Sequence, residues 1–151
     1  MYDFIYYQVR DVMTTDIVTV DEEVSIGQVS EIFEKHDFNG LPVLGADGSL
    51  KGMITKLGMI QAFVFTDKIK IPPYENLMKK TIKSIMTSDL ATVDSETPLT
   101  RLIDKMVITK FKSFPVVDEG RLVGIVSRED VLKALVRAAK GQPPDRLVNP
   151  G

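Results

Sequence analysis

Two short stretches of the chain share one pattern. Residues 124–130 read GIVSRED, and residues 52–58 read GMITKLG. In both, a glycine and two apolar residues are followed by a hydroxyl residue and a cation, but Asp130 ends the first stretch where Gly58 ends the second. One pattern with one chemical difference indicates two copies of a unit, of which only the second keeps the carboxylate.

Aligning the chain with itself extends this match over a whole unit. The matching segments keep their order: DVMTTDIVTVDEEVS from residue 11 falls on SIMTSDLATVDSETP from residue 84, and LPVLGADGSLKGMIT from residue 41 falls on FPVVDEGRLVGIVS from residue 114 after one deletion. Similarity sustained over a whole unit is typical of an internal repeat. The sequence therefore predicts a duplicated fold.

The first part of each repeat predicts a strand and then a helix. The runs DIVTV (16–20) and DLATV (89–93) are β-prone and predict short strands. Capping-box spacing from Ser25 starts one helix, and Thr97 is the predicted cap of the other, with Pro98 at its first position. Helical spacing predicts that the two helices bury these residues: Ile26, Val29 and Phe33; Leu99, Leu102, Ile103 and Met106.

The second part of each repeat predicts a hairpin and a helix. The hairpin turns fall at Asp47-Gly48 and at Glu119-Gly120, and the last helix begins near Arg128. The apolar side of that helix is Val131, Leu132, Leu135, Val136 and Ala139. The predicted fold class is α/β (α+β), with two βαββα motifs. Because so small a sheet cannot bury both faces alone, we expect one compact module with a pseudo-twofold axis.

The predicted domain boundaries follow the repeats. They are 9–62 for the first motif, 63–83 for a linker, 84–140 for the second motif and 141–151 for a loose C-terminal tail. Pro72-Pro73 prevents one continuous helix in the linker. The tail has many prolines and few apolar residues, so we expect little packing there.

Composition argues against several classes of function. The 151 residues include no cysteine and one histidine, His36, which leaves little for a disulfide, a metal site or a Ser-His nucleophile. The net charge is −2, and the basic stretch 66–83 has Tyr74 as its only aromatic residue, so nucleic-acid binding is not expected. No segment has the roughly 20 apolar residues of a membrane span. We expect a cytoplasmic protein.

A catalytic site is not expected either. Glu129 and Asp130 are neighbours on a helix, where side chains point about 100° apart, so they cannot converge as a general acid and base. His36 lies between charges and is expected to be exposed. We therefore predict that the chain is not an enzyme.

The stretch SRED (127–130) has groups that suit a sugar phosphate. Asp130 lies on the first turn of a helix, where its carboxylate can accept from both hydroxyls of a ribose. Ser127 stands at the helix start, where free N–H groups favour a phosphate, and Arg128 adds a cation. The same residues are also typical of an ordinary helix start, with Ser127 as the cap and acids in the first turn.

Together these motifs resemble a tandem pair of CBS domains, also called a Bateman module, from about residue 9 to residue 139. The resemblance rests on SIMTSDLATV, KSFPVVD and GIVSRED in the second repeat. It implies a regulatory unit that binds an adenine nucleotide in a slot between its halves, with the adenine against Thr92, Phe114 and Pro115. It also implies a disc-like homodimer, for which two apolar stripes offer surface: Leu99, Leu102 and Met106; Leu132, Leu135 and Val136.

The resemblance implies a stand-alone sensor that acts in trans on an unknown protein target. The expected regulatory ligand is AMP, ADP or ATP, and S-adenosylmethionine and NADH remain open because they present the same ribose and adenine. A structural dimerisation module with decayed nucleotide sites is the alternative. The first repeat keeps Thr55 and Lys56 as phosphate candidates but has Gly58 in place of the carboxylate. We therefore expect one strong site per chain, at the second repeat.

Overall fold

The computed structural model describes residues 3–64 and 74–149. Part of the predicted linker, including both Pro72 and Pro73, lies outside these residues. In chain order the elements are α1 (Val9–Val12), β1 (Val20–Asp21), α2 (Ile26–Lys35), β2 (Gly40–Leu44), β3 (Leu50–Thr55), α3 (Lys56–Gln61), α4 (Tyr74–Lys79), α5 (Leu99–Thr109), β4 (Ser113–Asp118), β5 (Arg121–Ser127), α6 (Arg128–Ala139) and α7 (Asp145–Val148), with 3₁₀ turns at Asp3–Tyr6 and Ile82–Ser84. The mixed α/β class is confirmed.

The chain forms two compact units that do not coincide with its two repeats. Unit 1 combines Met1–Ile17 with Ala91–Gly151, and unit 2 is Val18–Leu90. Each unit thus holds the hairpin of one repeat and the leading segment of the other. The boundaries 9–62 and 84–140 delimit repeats of the sequence and remain predictions.

The sheets show how the leading segments are exchanged. In unit 2, β1 pairs with β2 in parallel, β2 pairs with β3 in antiparallel fashion, and Thr87 pairs with Met53 of β3. In unit 1, β4 and β5 form the hairpin, Val93 pairs with β4, and Thr14 pairs with Ile125 of β5. The strands predicted at 16–20 and 89–93 are therefore shorter than expected, because the chain passes from one unit to the other next to each of them.

Two glycines permit the exchanged pairs. Thr14 and Ile125 exchange backbone hydrogen bonds of 2.9 and 3.0 Å, and Thr87 and Met53 exchange two of 2.9 Å. A Cβ atom at Gly124 would lie 2.8 Å from the carbonyl oxygen of Thr14, and one at Gly52 would lie 2.7 Å from that of Thr87. Real Cβ atoms do not approach a backbone oxygen so closely. The close approach of the paired segment therefore requires glycine at the first position of both GIVSRED and GMITKLG.

Each unit has its own core. The core of unit 1 consists of Tyr7, Val9, Val93, Leu99, Leu102, Met106, Phe114, Val116, Val126, Val131, Ala134 and Ala138. The core of unit 2 consists of Val20, Ile26, Val29, Leu41, Val43, Ile54, Met59 and Ile82. The predicted buried residues of α2 and α5 all lie in or against these cores.

The buried side of α6 differs from the prediction. Val131, Ala134 and Ala138 face the core, whereas Leu132, Leu135 and Val136 are 61%, 39% and 48% exposed. Small side chains at i, i+3 and i+7 let the helix approach its neighbours closely, and this leaves the larger residues outside. Of the two stripes predicted to serve a dimer, Leu99, Leu102 and Met106 are buried within unit 1 and cannot do so.

The predicted helix and turn signals are largely confirmed. Ser25 forms the expected capping box with Gln28. The cap of α5 is Pro98 and not Thr97, whose hydroxyl donates instead to Asp94 Oδ1 at 3.1 Å. The hairpins turn where predicted, with Gly48 and Gly120 in the left-handed region at φ values of 80° and 77°.

The C-terminal segment is not the loose tail that the sequence predicted. The Tyr7 hydroxyl donates to the Gln142 carbonyl at 2.8 Å, and Arg146 Nε donates to Asp11 Oδ1 at 2.8 Å. Arg137 lies over the Tyr7 ring and pairs with Asp145. Burial raises the pKa of the Tyr7 phenol, although Arg137 acts in the opposite direction. Polar contacts to the N-terminal segment therefore hold residues 142–148 in place. The sequence did not predict them because polar contacts produce no apolar pattern.

Replacing Gly124 with alanine tests the close approach to Thr14. The added methyl group must displace backbone, so we expect Gly124→Ala to lower the free energy of unfolding by about 2 kcal/mol. Chemical denaturation followed by circular dichroism measures the change. Arg121→Ala, at an exposed position of the same strand, is the control, and equal stability of the two variants would contradict the steric argument.

Candidate functional site

The junction of β5 and α6 carries three of the predicted site residues. Ser127 is the N-cap of α6, and its hydroxyl oxygen accepts from the Asp130 backbone N–H at 3.3 Å. In return, Asp130 Oδ2 accepts from the Ser127 N–H at 2.9 Å and from the Ser127 hydroxyl at 3.0 Å. The ordinary helix-start interpretation is thus confirmed as a capping box.

The capping box also orients the carboxylate. The capping box involves the backbone N–H and the Oδ2 atom of Asp130, so Oδ1 lies outside the box. Asp130 is partly exposed. A carboxylate has about four acceptor sites, so the box and an external hydroxyl donor are compatible. The hydroxyl of Ser127, in contrast, is already engaged with Asp130.

Arg128 joins the start of α6 to the end of α5. Its Nη2 donates to the Lys110 carbonyl at 2.5 Å, and its Nε donates to the Phe111 carbonyl at 3.3 Å. The Arg128 backbone N–H donates to the Lys112 carbonyl at 3.0 Å. Lys110 ends α5 in the left-handed conformation, at φ 60°. These acceptors are neutral carbonyl groups, so these contacts bring no negative charge to the guanidinium.

The three residues predicted to lie against adenine are close together in unit 1. Val93, next to Thr92, donates its N–H to the Pro115 carbonyl at 3.1 Å, and Phe114 precedes Pro115 on β4. Thr92 is partly buried, and its carbonyl accepts from Lys105 Nζ at 3.4 Å. The Phe114 side chain is fully buried in the core.

The first repeat has the same framework with other chemistry. Thr55 caps α3 and accepts from the Gly58 N–H at 3.0 Å. Lys56 Nζ lies 3.1 Å from Asp37 Oδ1. Gly58 is buried, and a Cβ there would lie 3.1 Å from the Ile85 carbonyl oxygen. Unit 2 therefore has little room for a carboxylate where unit 1 has Asp130.

Sequence reasoning missed the loops that contact Arg128 and Lys56. Arg128 contacts the backbone of Lys110, Phe111 and Lys112, and Lys56 contacts Asp37. The internal alignment that places residue 11 on residue 84 also places Asp37 on Lys110. That alignment was the available signal, because it reveals opposite charges at equivalent positions.

The described residues hold no group of three or more His, Cys, Asp and Glu side chains that is arranged to bind a metal ion. His36 is exposed and stacks on Phe38 with 5.1 Å between ring centroids. Within the same described ranges, no helix is long and apolar enough to cross a membrane.

Comparison with known families identifies the repeat. The model of the CBS domain matches residues 9–64 and residues 82–137. The chain belongs to the CBS domain family. Its two repeats are therefore two CBS motifs, and the resemblance drawn from the sequence is confirmed.

Three relatives show the extent of the similarity. The L-aspartate semialdehyde sulfurtransferase of Methanocaldococcus jannaschii is 32% identical over 124 residues, which cover 82% of this chain but 22% of the sulfurtransferase. The crystal structure of the CBS domain pair of protein MJ0100 in complex with 5′-methylthioadenosine and S-adenosyl-L-methionine has a TM-score of 0.73 at 30% identity, covering 88% of this chain and 98% of that chain. The crystal structure of CBSX2 in complex with AMP has a TM-score of 0.75 at 26% identity, covering 88% and 98%.

Substitution of Asp130 tests its structural role in the second CBS motif. Asp130→Ala removes the acceptor for the Ser127 N–H, so we expect a loss of about 1 kcal/mol in the free energy of unfolding. Asp130→Glu keeps a residue that is common at this position of capping boxes and should retain most of that stability. Urea denaturation of both variants measures the difference. If Asp130→Ala is as stable as the wild type, the capping box contributes nothing.

Proposed function

We propose that this CBS protein is a regulatory module that binds an adenosine-containing ligand at its second motif and acts in trans on a partner protein. The observation that carries the proposal is the Ser127–Asp130 junction, where the first turn of α6 has both a carboxylate and a guanidinium. Two relatives solved with adenosine ligands, one with AMP and one with 5′-methylthioadenosine and S-adenosylmethionine, support the class of ligand.

Asp130 is the proposed ribose acceptor. Its Oδ2 is fixed by Ser127, which holds the carboxylate plane in place and directs Oδ1 away from the capping box. A preoriented acceptor loses less side-chain entropy when a ligand binds. A carboxylate that accepts from a hydroxyl forms a charge-assisted bond worth roughly 1.5–3 kcal/mol. The absence of this group in the first motif, where Gly58 is buried, supports one strong site per chain.

Arg128 is the proposed contact for a phosphate, with Ser127 in a supporting role. Thr92 and Pro115 provide backbone groups for the base, and Phe114 supports them from the core.

Thr55 and Lys56 belong to unit 2 and are proposed to contribute less. AMP, ADP and ATP are the proposed ligands. Binding and not turnover is the proposed activity, and the cytoplasmic location stays a prediction.

A structural module with decayed sites remains the second candidate. Gly58 favours it for the first motif, because a side chain there would contact the Ile85 carbonyl. The intact capping box at Asp130 does not distinguish the two, since the box also stabilises the helix. The binding experiment must therefore separate the structural role of Asp130 from its role in binding.

The Asp130→Glu variant achieves that separation. We expect calorimetry of the wild type to give one AMP per chain, and a ligand at 100 times its Kd to add about 2.7 kcal/mol of stability in thermal denaturation. Asp130→Glu keeps the cap but moves the carboxylate by one methylene group. It should therefore bind AMP about ten- to a hundredfold more weakly while it remains folded.

The panel of ligands should include ADP, ATP, S-adenosylmethionine, 5′-methylthioadenosine and NADH. Binding of none of them would favour the structural module. Wild-type affinity in both Asp130→Glu and Asp130→Ala would place the ligand elsewhere. Release of ADP from ATP in proportion to protein concentration would contradict the proposal that the chain has no catalytic activity.

We also propose that the chain forms a homodimer through α6. Leu132, Leu135 and Val136 lie on one side of this helix and remain exposed, which is a large apolar surface for so small a unit. A face of one helix pairs most simply with its own copy across a twofold axis. The shape of the dimer predicted from the family, a disc, remains a prediction.

Leu132→Glu tests the dimer. We expect light scattering to give about twice the 16.8 kDa mass of the chain for the wild type and about that mass for the variant, because a carboxylate would be desolvated at the interface. Thr100→Glu, at an exposed position of α5, introduces the same charge and should stay dimeric. A monomeric wild type at tens of micromolar would contradict the proposal.

A further inference from the structure

The two CBS motifs differ in charge at one pair of equivalent positions. Lys56 and Arg128 both begin the last helix of their motif, and each contacts the loop that follows the preceding long helix. At the contacting position of that loop, the first motif has Asp37 and the second has Lys110. The framework is the same, but the charge beside the cation is inverted.

In the first motif, the cation is paired with an acid. Lys56 Nζ is 3.1 Å from Asp37 Oδ1, and the two side chains are 51% and 99% exposed. An exposed ion pair contributes little to stability. Its effect is to place a negative charge where an anionic ligand would approach Lys56.

In the second motif, the cation is bound by carbonyl groups. Arg128 donates to the carbonyls of Lys110 and Phe111, and the exposed side chains of Lys110 and Lys112 belong to the same loop. The neighbouring acids are Glu129 and Asp130, and Oδ2 of Asp130 accepts within the capping box. This junction therefore has three basic residues and two acidic residues. The equivalent junction of the first motif has one of each, Lys56 and Asp37.

We infer that the position shared by Asp37 and Lys110 determines the charge of the ligand that each motif accepts. Lys110 makes the second motif favour a phosphorylated adenosine over an uncharged one, and Asp37 makes the first motif unfit for a phosphate. Lys110 is a specificity-determining residue, and it acts on the ligand together with Arg128. The inference rests on the proposed function, because it concerns the same site.

The charge of residue 110 can be changed without straining the backbone. Lys110 has φ 60°, a conformation that asparagine and aspartate adopt more readily than most residues. A series of Lys110, Lys110→Asn and Lys110→Asp therefore changes the charge in steps at a constant backbone. Lys133→Asp, at an exposed position of α6, makes the same total change of charge away from the junction and is the matched control.

Adenosine and AMP are the probes, because they differ only in the phosphate. At low ionic strength, we expect Lys110→Asp to weaken AMP binding about five- to tenfold and Lys110→Asn to weaken it by a smaller factor, with adenosine unchanged. Lys133→Asp should leave the ratio of the two affinities near the wild-type value. At about 1 M salt, the loss for Lys110→Asp should shrink, since the Debye length is then about 3 Å.

Asp37 is tested with inorganic pyrophosphate as the probe. In two-dimensional amide NMR spectra, we expect Asp37→Lys to gain pyrophosphate-dependent shifts at Thr55 and Lys56 that are absent in the wild type. Glu34→Lys, at an exposed position of α2, is the matched control and should gain none. Equal shifts at Lys56 in the wild type would overturn the assignment to Asp37.

The outcomes separate this inference from the proposed function. If the wild type binds neither adenosine nor AMP, both fall together. If it binds them and Lys110→Asp leaves the AMP-to-adenosine ratio unchanged, or weakens both ligands equally, the proposed function survives and the role of Lys110 is wrong.

Discussion

The close backbone contact between Thr14 and Gly124–Ile125, and its counterpart between Thr87 and Gly52–Met53, is the constraint on which the rest of the structure depends. Each hairpin is extended by a segment from the other repeat, and only glycine leaves room for that segment. The hairpin strand then continues directly into the Ser127 cap or the Thr55 cap. The position of each candidate site therefore follows from a contact that involves no ligand-binding residue.

Under the proposed function, a structural motif at the candidate site also serves in recognition. The Ser127–Asp130 capping box satisfies backbone donors that any helix start must satisfy. The same bonds fix the carboxylate in one orientation, which a binding site needs. Because stability and recognition use the same atoms, a helix-start pattern alone does not distinguish them. We propose that the charges around the box, and above all those of Arg128 and Lys110, distinguish a binding site from an ordinary helix start.

Much of the fold could be predicted because it depends on local rules. The duplication, the hairpin turns and the Ser25 capping box follow from residue spacing and turn chemistry, and each is present. The predicted site residues of the second repeat also lie around one junction of unit 1. These features require no knowledge of distant contacts.

Other features depend on contacts that the sequence pattern does not specify. Helical spacing on α6 fits two sides, one with Val131, Ala134 and Ala138 and one with Leu132, Leu135 and Val136, and only packing decides between them. Each leading segment could pair with either of two similar hairpins, and it pairs with the hairpin of the other repeat. The partners of Arg128 are backbone carbonyls, and Arg146 binds a single distant acid, Asp11, so neither leaves a periodic signal.

The exchange of segments has a consequence for the order in which the chain folds. Unit 2, Val18–Leu90, is continuous and contains all of its own residues once position 90 has been synthesised. In unit 1, the segment before Val18 stays unpaired until residues from 91 onward have been synthesised. Pairing Thr14 with Ile125 closes a loop of the intervening chain, and the conformational entropy of that loop is lost before the new contacts compensate for it. During synthesis, the segment before Val18 therefore emerges earlier than unit 2 but pairs later than unit 2 can fold.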